Sequence, residues 1–410
     1  MLSPALKWLK IIYKRIITSI AFLPAIIALL FLGLSFLMIN MDFSSFGKTL
    51  KSNLPWLSLK DASTARSICS SIAGGIISLS VFSFSMVMIL LSQAASQMSN
   101  RILGKLISNR FQQIVLGFYI GTIVYALFLL STIRDIDSGV NVPAISTYLL
   151  IALTVVDIFL FIYFLHYITQ SVKFETIINS IYLDTKKALK KICTEKETTF
   201  DLPALKGCFE INASESGIYQ GFEKESLTNL CNKEDVIIYF HYPVGTYVME
   251  NTPLLSVVSN KALTEDFKEQ LILLITIARG QEIETSYYYG FRQLMEIAIK
   301  ALSPGINDPG TATISLQAIG DLISYRMDHF PVTRYTDKHH TARIFTQEKS
   351  FDDIFNEYVL PVWDYGKADR LVQNEMQHIL MLLSQLGSRP AINKLLHEVQ
   401  TTIKTSQINR

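Results

Sequence analysis

Serine recurs every seven residues along one weakly charged stretch of this chain, at Ser71, Ser78, Ser85, Ser92 and Ser99. Seven residues advance a helix by two turns less about 20°, so these hydroxyls fall on one slowly drifting line. With Gln93 beside it, such a line offers two kinds of chemistry. Hydroxyls line a water or ion path, or they let a neighbouring helix pack closely. Spacing leaves both readings open. Two ionisable groups sit inside a later apolar run, Asp157 near its middle and His166 near its end. A charge at a bilayer centre is costly, so Asp157 marks an ion path or a buried hydrogen-bonded contact. Between Asp157 and His166 a helix turns through about 900°, which puts them on opposite faces and outside any single relay.

The elements that must hold these residues are membrane spans. Half of the 410 residues are hydrophobic and 18% are charged, against the roughly 25% charged residues of a soluble globular chain. Apolar runs predict four transmembrane helices at about 16–39, 68–91, 111–133 and 144–168, together a transmembrane domain over 1–170. Lys7, Lys10, Lys14 and Arg15 precede the first run without an acid. That run is too long for a signal peptide, so it reads as a retained span that starts in the cytoplasm. Arg101, Lys105 and Arg110 fit a cytoplasmic loop, whereas Lys48, Lys51, Lys60 and Arg66 in the polar link at 41–67 run against the same rule. The expected product is a multi-pass protein of a bacterial inner membrane with both termini cytoplasmic. Gly117 and Gly121 form a close-packing motif on the third span, and the second span's serine line is a partner for it.

Beyond residue 170 the pattern becomes that of a cytoplasmic α+β domain. Residues 171–260 read as a linker helix and a small β-sheet or barrel, with strands at 236–240 and 246–249. Residues 261–410 read as a helical part. Thr264 caps a helix expected to run to Arg279, and a second covers 284–302. Ser303, Pro304 and Gly305 then break the chain. Asn307 and Asp308 precede Pro309, an acidic cap with proline at the first helical position. The result is an elbow between two helices. Residues 331–350 read as a polar connection holding Asp337, His339 and His340.

Several function classes are disfavoured. A net charge of +2 does not argue for nucleic acid. Cys69, Cys193, Cys208 and Cys231 form no metal-ligand spacing, and adjacent histidines cannot aim both rings at one metal from a helix. No phosphate loop, nucleophile elbow or catalytic carboxylate pair is present, so neither an enzyme nor a cofactor is expected.

The motifs Ser-Gln-Ala-Ala-Ser-Gln-Met-Ser-Asn-Arg at 92–101, Ile-Tyr-Phe-Leu-His at 162–166 and Ala-Leu-Ser-Pro-Gly-Ile-Asn-Asp-Pro at 301–309 follow one order. With Gly-Ile-Tyr-Gln at 217–220 and Asp-Tyr-Gly-Lys-Ala-Asp at 364–369, the chain resembles the bacterial membrane proteins of domain of unknown function 2254. The resemblance implies an N-terminal multi-span region and a cytoplasmic C-terminal portion, and it implies no activity. Gly310, Tyr167 and Asp157 depart from the family's pattern. Two functions compete. One is an oligomeric sensory or scaffolding membrane protein whose cytoplasmic domain binds a partner or small ligand. The other is an oligomeric channel or pore-type transporter lined by the second span and gated by that domain.

Overall fold

The computed structural model describes residues 19, 21–53, 59, 61–97, 110–133, 142–171, 173–196 and 208–408, with backbone alone at 52, 93–97, 171, 407 and 408. Ser99, the Gln93 side chain, Arg101, Lys105, Lys60 and the basic residues before the first span lie outside the described residues. The chain divides into two units, Met1–Lys173 and Phe174–Arg410.

The N-terminal unit is α1 (Phe22–Phe43), α2 (Ser45–Asn53), α3 (Ala62–Gln97), α4 (Arg110–Thr132) and α5 (Ala144–Ser171). Four stretches are long and apolar enough to cross a membrane, Phe22–Phe43, Ala62–Ser92, Arg110–Thr132 and Ala144–Gln170. They coincide with the expected spans to within a few residues. The link after the first span is not wholly irregular. Ser44 opens α2 by accepting the Gly47 amide at 3.1 Å, a side-chain cap that satisfies a free helix-end donor.

Gly117 and Gly121 serve the first span rather than the second. A Cβ at Gly117 would come within 2.6 Å of Ile27, and one at Gly121 within 2.7 Å of Phe31. Only glycine lets α1 approach α4 this closely. The buried face of α3 is made by Ala65, Cys69, Ala73, Ile76 and Ser83, packed with α4 and α5.

The C-terminal unit begins with α6 (Phe174–Ile192) and β1 (Cys193–Glu195). β2 (Cys208–Asn212), β3 (Gly217–Phe222), α7 (Lys224–Glu234), β4 (Ile237–Phe240), β5 (Tyr247–Val248) and β6 (Pro253–Val258) follow. Then come α8 (Glu265–Leu274), β7 (Ile275–Ala278), α9 (Tyr287–Ala301) and α10 (Pro309–Asp328). The chain continues through β8 (Phe330–Pro331), β9 (Arg334–Thr336) and β10 (Ala342–Phe345). It ends in α11 (Phe351–Tyr358), α12 (Leu360–Gly366), α13 (Arg370–Leu386) and α14 (Pro390–Ile408).

Three small sheets result, in strand orders β2-β6-β4-β10-β9, β5-β3-β7 and β1-β8. Tyr219 and Phe222 of β3 stack on Phe240 of β4 at 5.2 and 4.9 Å, joining the two larger sheets through one aromatic core. The helix expected to reach Arg279 ends at Leu274, and Ile275–Ala278 pair antiparallel with β3. The β-branched side chains of Ile275, Thr276 and Ile277 favour the extended backbone, and the open edge of β3 rewards it. The stretch read as a polar connection at 331–350 supplies β9 and β10, and β10 pairs parallel with β4. The sheets therefore take strands from both sides of residue 260. Helices cover a second core, where Gly290 of α9 admits Thr185 of α6. A Cβ there would lie 1.8 Å from the threonine hydroxyl.

Candidate functional site

The serine line points away from the helix contacts of its own unit. Ser71, Ser78, Ser85 and Ser92 all stand on the exposed side of α3. The Ser78 and Ser85 hydroxyls donate to the carbonyls of Gly74 and Val81 one turn back, at 3.0 and 2.9 Å. Among the described residues, the dry seam against the third span, one of the two expectations for this line, is not formed within the chain.

Asp157 and His166 lie on opposite faces of α5, as their spacing requires. His166 is exposed, and Asp157 is 0% exposed. The Thr122 hydroxyl of α4 lies beside the Asp157 carboxyl. The Tyr119 phenol, one turn earlier on α4, lies beside the Ser83 hydroxyl of α3. No hydrogen bond reaches either Asp157 oxygen, the Thr122 hydroxyl or the Tyr119 phenol.

A second buried carboxylate in this unit escaped the sequence reading. Asp42, at the end of α1, is 0% exposed and pairs with the equally buried Lys51 of α2 at 3.3 Å. It accepts the Ile145 and Ser146 amides at 3.2 and 2.7 Å and the Ser146 hydroxyl, so the Asp42 carboxylate caps the start of α5. Lys51 donates also to the Val142 carbonyl at 3.0 Å.

In the C-terminal unit the elbow residues engage in the turn itself. Asp308 accepts the Thr311 amide at 3.1 Å and its hydroxyl at 2.6 Å, and Pro309 opens α10. Asn307 takes a left-handed backbone at φ +50°, and its amide donates to the Ser303 carbonyl at 2.9 Å. The Ser303 hydroxyl donates to the Lys300 carbonyl at 2.6 Å, while Pro304 and Gly305 are exposed. Asp337 is likewise consumed locally, by the amides of His339 and Thr341 and by Arg343.

The chemistry of this unit gathers elsewhere, around a cavity of about 470 Å³. Glu348, Tyr288, Tyr287, Tyr335, Lys224 and Ser286 are among its walls. Tyr288 donates to Glu348 at 2.7 Å and accepts the Lys349 amide at 3.2 Å. Burial raises the Glu348 carboxyl to about 7, against the opposing pull of the Tyr288 hydrogen bond and the nearby Arg326. Glu348 keeps partial exposure because it faces the cavity. Burial also pushes the Tyr287 and Tyr288 phenols well above their ordinary range, so both stay neutral donors.

Behind the cavity Arg326 is 1% exposed and fixed by the His329 and Lys349 carbonyls, each at 3.1 Å. The buried Cys193 thiol is pushed up to about 11 by burial and is a poor nucleophile there. Among the described residues, no group of three or more histidine, cysteine, aspartate or glutamate side chains is arranged to hold a metal. Sequence reasoning missed this cavity because its walls come from α6, α7, α9, β9 and the strand exit at Glu348. One signal was visible, the run of three tyrosines at 287–289 opening a helix.

The family model for Predicted membrane protein (DUF2254) matches residues 17–381. Uncharacterized proteins of Mycobacterium bovis and of two Mycobacterium tuberculosis strains are each 25% identical over 317 residues. The match covers 74% of this chain and 60% of each relative, so the chain spans less than two thirds of the length of the curated relatives it matches. No solved structure matches.

Proposed function

Because this chain belongs to the DUF2254 family of predicted membrane proteins, we propose that it is an oligomeric membrane sensor whose C-terminal unit binds a small polar ligand in the Glu348 cavity. The observation that carries this reading is the cavity of about 470 Å³, which joins a carboxyl poised near neutrality to neutral phenols and a lysine. Small-molecule sites are concave, with a few convergent polar groups and perturbed titratable residues. The ligand class that suits Glu348, Tyr287 and Tyr288 carries a cationic or hydrogen-bond-donating group. Placement in a bacterial inner membrane with both termini cytoplasmic rests on the basic residues flanking the spans. The test is a thermal-shift screen of amines, amino acids, sugars and nucleotides on purified full-length protein. A compound that stabilises the wild type, and acts at least tenfold more weakly on Glu348→Gln and Tyr288→Phe, supports the reading. A panel that shifts wild type and variants alike sinks it.

A second reading, an oligomeric channel, is favoured by one observation. Ser71, Ser78, Ser85 and Ser92 stand exposed on α3, where further copies of the chain would meet them. Ion flux through reconstituted protein that stops in Ser85→Trp supports it, and flux no greater than that of empty liposomes removes it.

A further inference from the structure

The walls of the Glu348 cavity select one class of occupant: we infer that it receives a small molecule carrying an oxyanion, a carboxylate or a phosphate, held by Lys191 and Lys224. Resting on the reading of that cavity as a ligand site, this assignment adds the group the ligand must present. Lys191 of α6 and Lys224 of α7 are both among the walls, where Glu348 is the single carboxyl. Elsewhere in the same unit Lys186 and Lys349 pair with Asp321 and Glu357. Among the described residues neither Lys191 nor Lys224 has a carboxylate partner. The Lys224 ammonium lies over the Tyr335 ring instead, 4.9 Å from its centroid, and that ring is itself part of the wall. This contact holds the charge at the cavity.

A third cation stands one side chain behind the surface. Arg326, 1% exposed, donates to the Tyr287 phenol at 3.4 Å and to the two carbonyls named above. Among the described residues no carboxylate pairs with it, and Tyr287 is a wall of the cavity. A buried charge without a counter-charge is costly, and an anion in the cavity lowers that cost. Glu348 offsets these cations only in part. Burial raises its carboxyl to about 7, so at neutral pH a large share of molecules carry it protonated.

The start of α9 adds backbone donors to the same cavity. Ser286, Tyr287 and Tyr288 open that helix, and all three are among the walls. Ser286 caps no amide with its side chain, which turns to the Val244 carbonyl at 3.3 Å, and the first turn holds no acid. A 15-residue helix begun without cap or acid keeps its partial positive charge at that end. Carboxylate and phosphate oxygens are what such an end receives. Glu348 accepts the Tyr288 phenol through Oε2, which leaves Oε1 for a donor group of the same ligand. Amino acids and nucleotides meet both demands, whereas simple amines and plain sugars lack the anion.

The test is a thermal-shift titration of purified full-length protein in detergent, at neutral pH and fixed ionic strength. Its probes are pairs that differ in the oxyanion: amino acids against their amides, nucleoside monophosphates against nucleosides, hexose phosphates against hexoses, and inorganic phosphate against chloride. At least one oxyanion is expected to stabilise the wild type at a concentration tenfold or more below that of its partner. Lys191→Met and Lys224→Met are each expected to need at least tenfold more of it. Both lysines are exposed, so neither change is expected to hinder folding. The responding pair tells carboxylate from phosphate. An oxyanion that acts equally on wild type and both lysine variants overturns the assignment. Partners that lack the anion, acting as strongly as those that carry it and failing only on Glu348→Gln, overturn it while leaving the cavity a ligand site. A wild type that responds to no member of any pair overturns both readings.

Discussion

Two carboxylates lie fully buried among the same apolar helices, and their surroundings treat them in opposite ways. Asp42 meets a lysine, two backbone amides and a hydroxyl, so its charge is balanced and its lone pairs are used. Asp157 has the Thr122 hydroxyl beside it, and among the described residues neither a lysine nor a backbone amide bonds its oxygens. The first ties α1, α2 and the start of α5 together as a structural staple. The second sits between α4 and α5 with the Thr122 hydroxyl beside it and no cation to balance a charge among the described residues, so burial favours its neutral form. Burial alone does not tell a functional acid from a structural one. The partner set does.

The sharpest way to break this contrast is at the staple. Lys51→Met leaves Asp42 buried with its main counter-charge removed, and unfolding in detergent is expected to show a loss of about 3–5 kcal/mol. A loss under about 1 kcal/mol would mean that the amides alone carry Asp42, and the contrast with Asp157 would weaken.

Glu348 stands between the two extremes, with one phenol donating to it. Its folded value, raised by burial to about 7, lies above the ordinary 4.5 of the unfolded chain. Its contribution is therefore fully present below about pH 4.5 and is lost as pH rises through about 7. The fall is on the order of 2–3 kcal/mol across that window. Glu348→Gln is expected to flatten that part of the stability curve, and an unchanged slope would show that the carboxyl titrates freely.

At Asp157 the expectation is inverted. Asp157→Asn is expected to stay within about 1 kcal/mol of wild type, since it leaves no buried counter-charge unpaired. A loss as large as that of Lys51→Met would place both acids in one structural class. The smallest effect is expected at His166. Exposed on the other face of the same helix, its change to alanine should move stability by no more than about 0.5 kcal/mol.

Legibility in the sequence followed the range of the physics. The four long apolar helices could be read because a run of twenty or more apolar residues has few other fates. The Asp308–Pro309 helix start could be read because a cap acts within three residues, here on Thr311. The strand at Ile275–Ala278 was hidden because it continues a helical pattern without a break, and only the edge of β3 converts it. The pairing of Gly117 and Gly121 with α1 rather than α3 was equally hidden, because a small-residue motif advertises close approach but not to whom.

The sequence by itself determined where the chain is apolar, where its helices are capped, and that Asp157 and His166 face opposite ways on one helix. Each of these depends on neighbours within a few turns. Tertiary structure alone decided that Asp42 finds Lys51 and Ser146 while Asp157 finds the Thr122 hydroxyl and no cation among the described residues. It also decided that Glu348, Tyr288 and Lys224 share one cavity. The cost of a buried polar group is set by whichever atoms packing brings within about 3 Å of it, and those atoms come from distant parts of the chain.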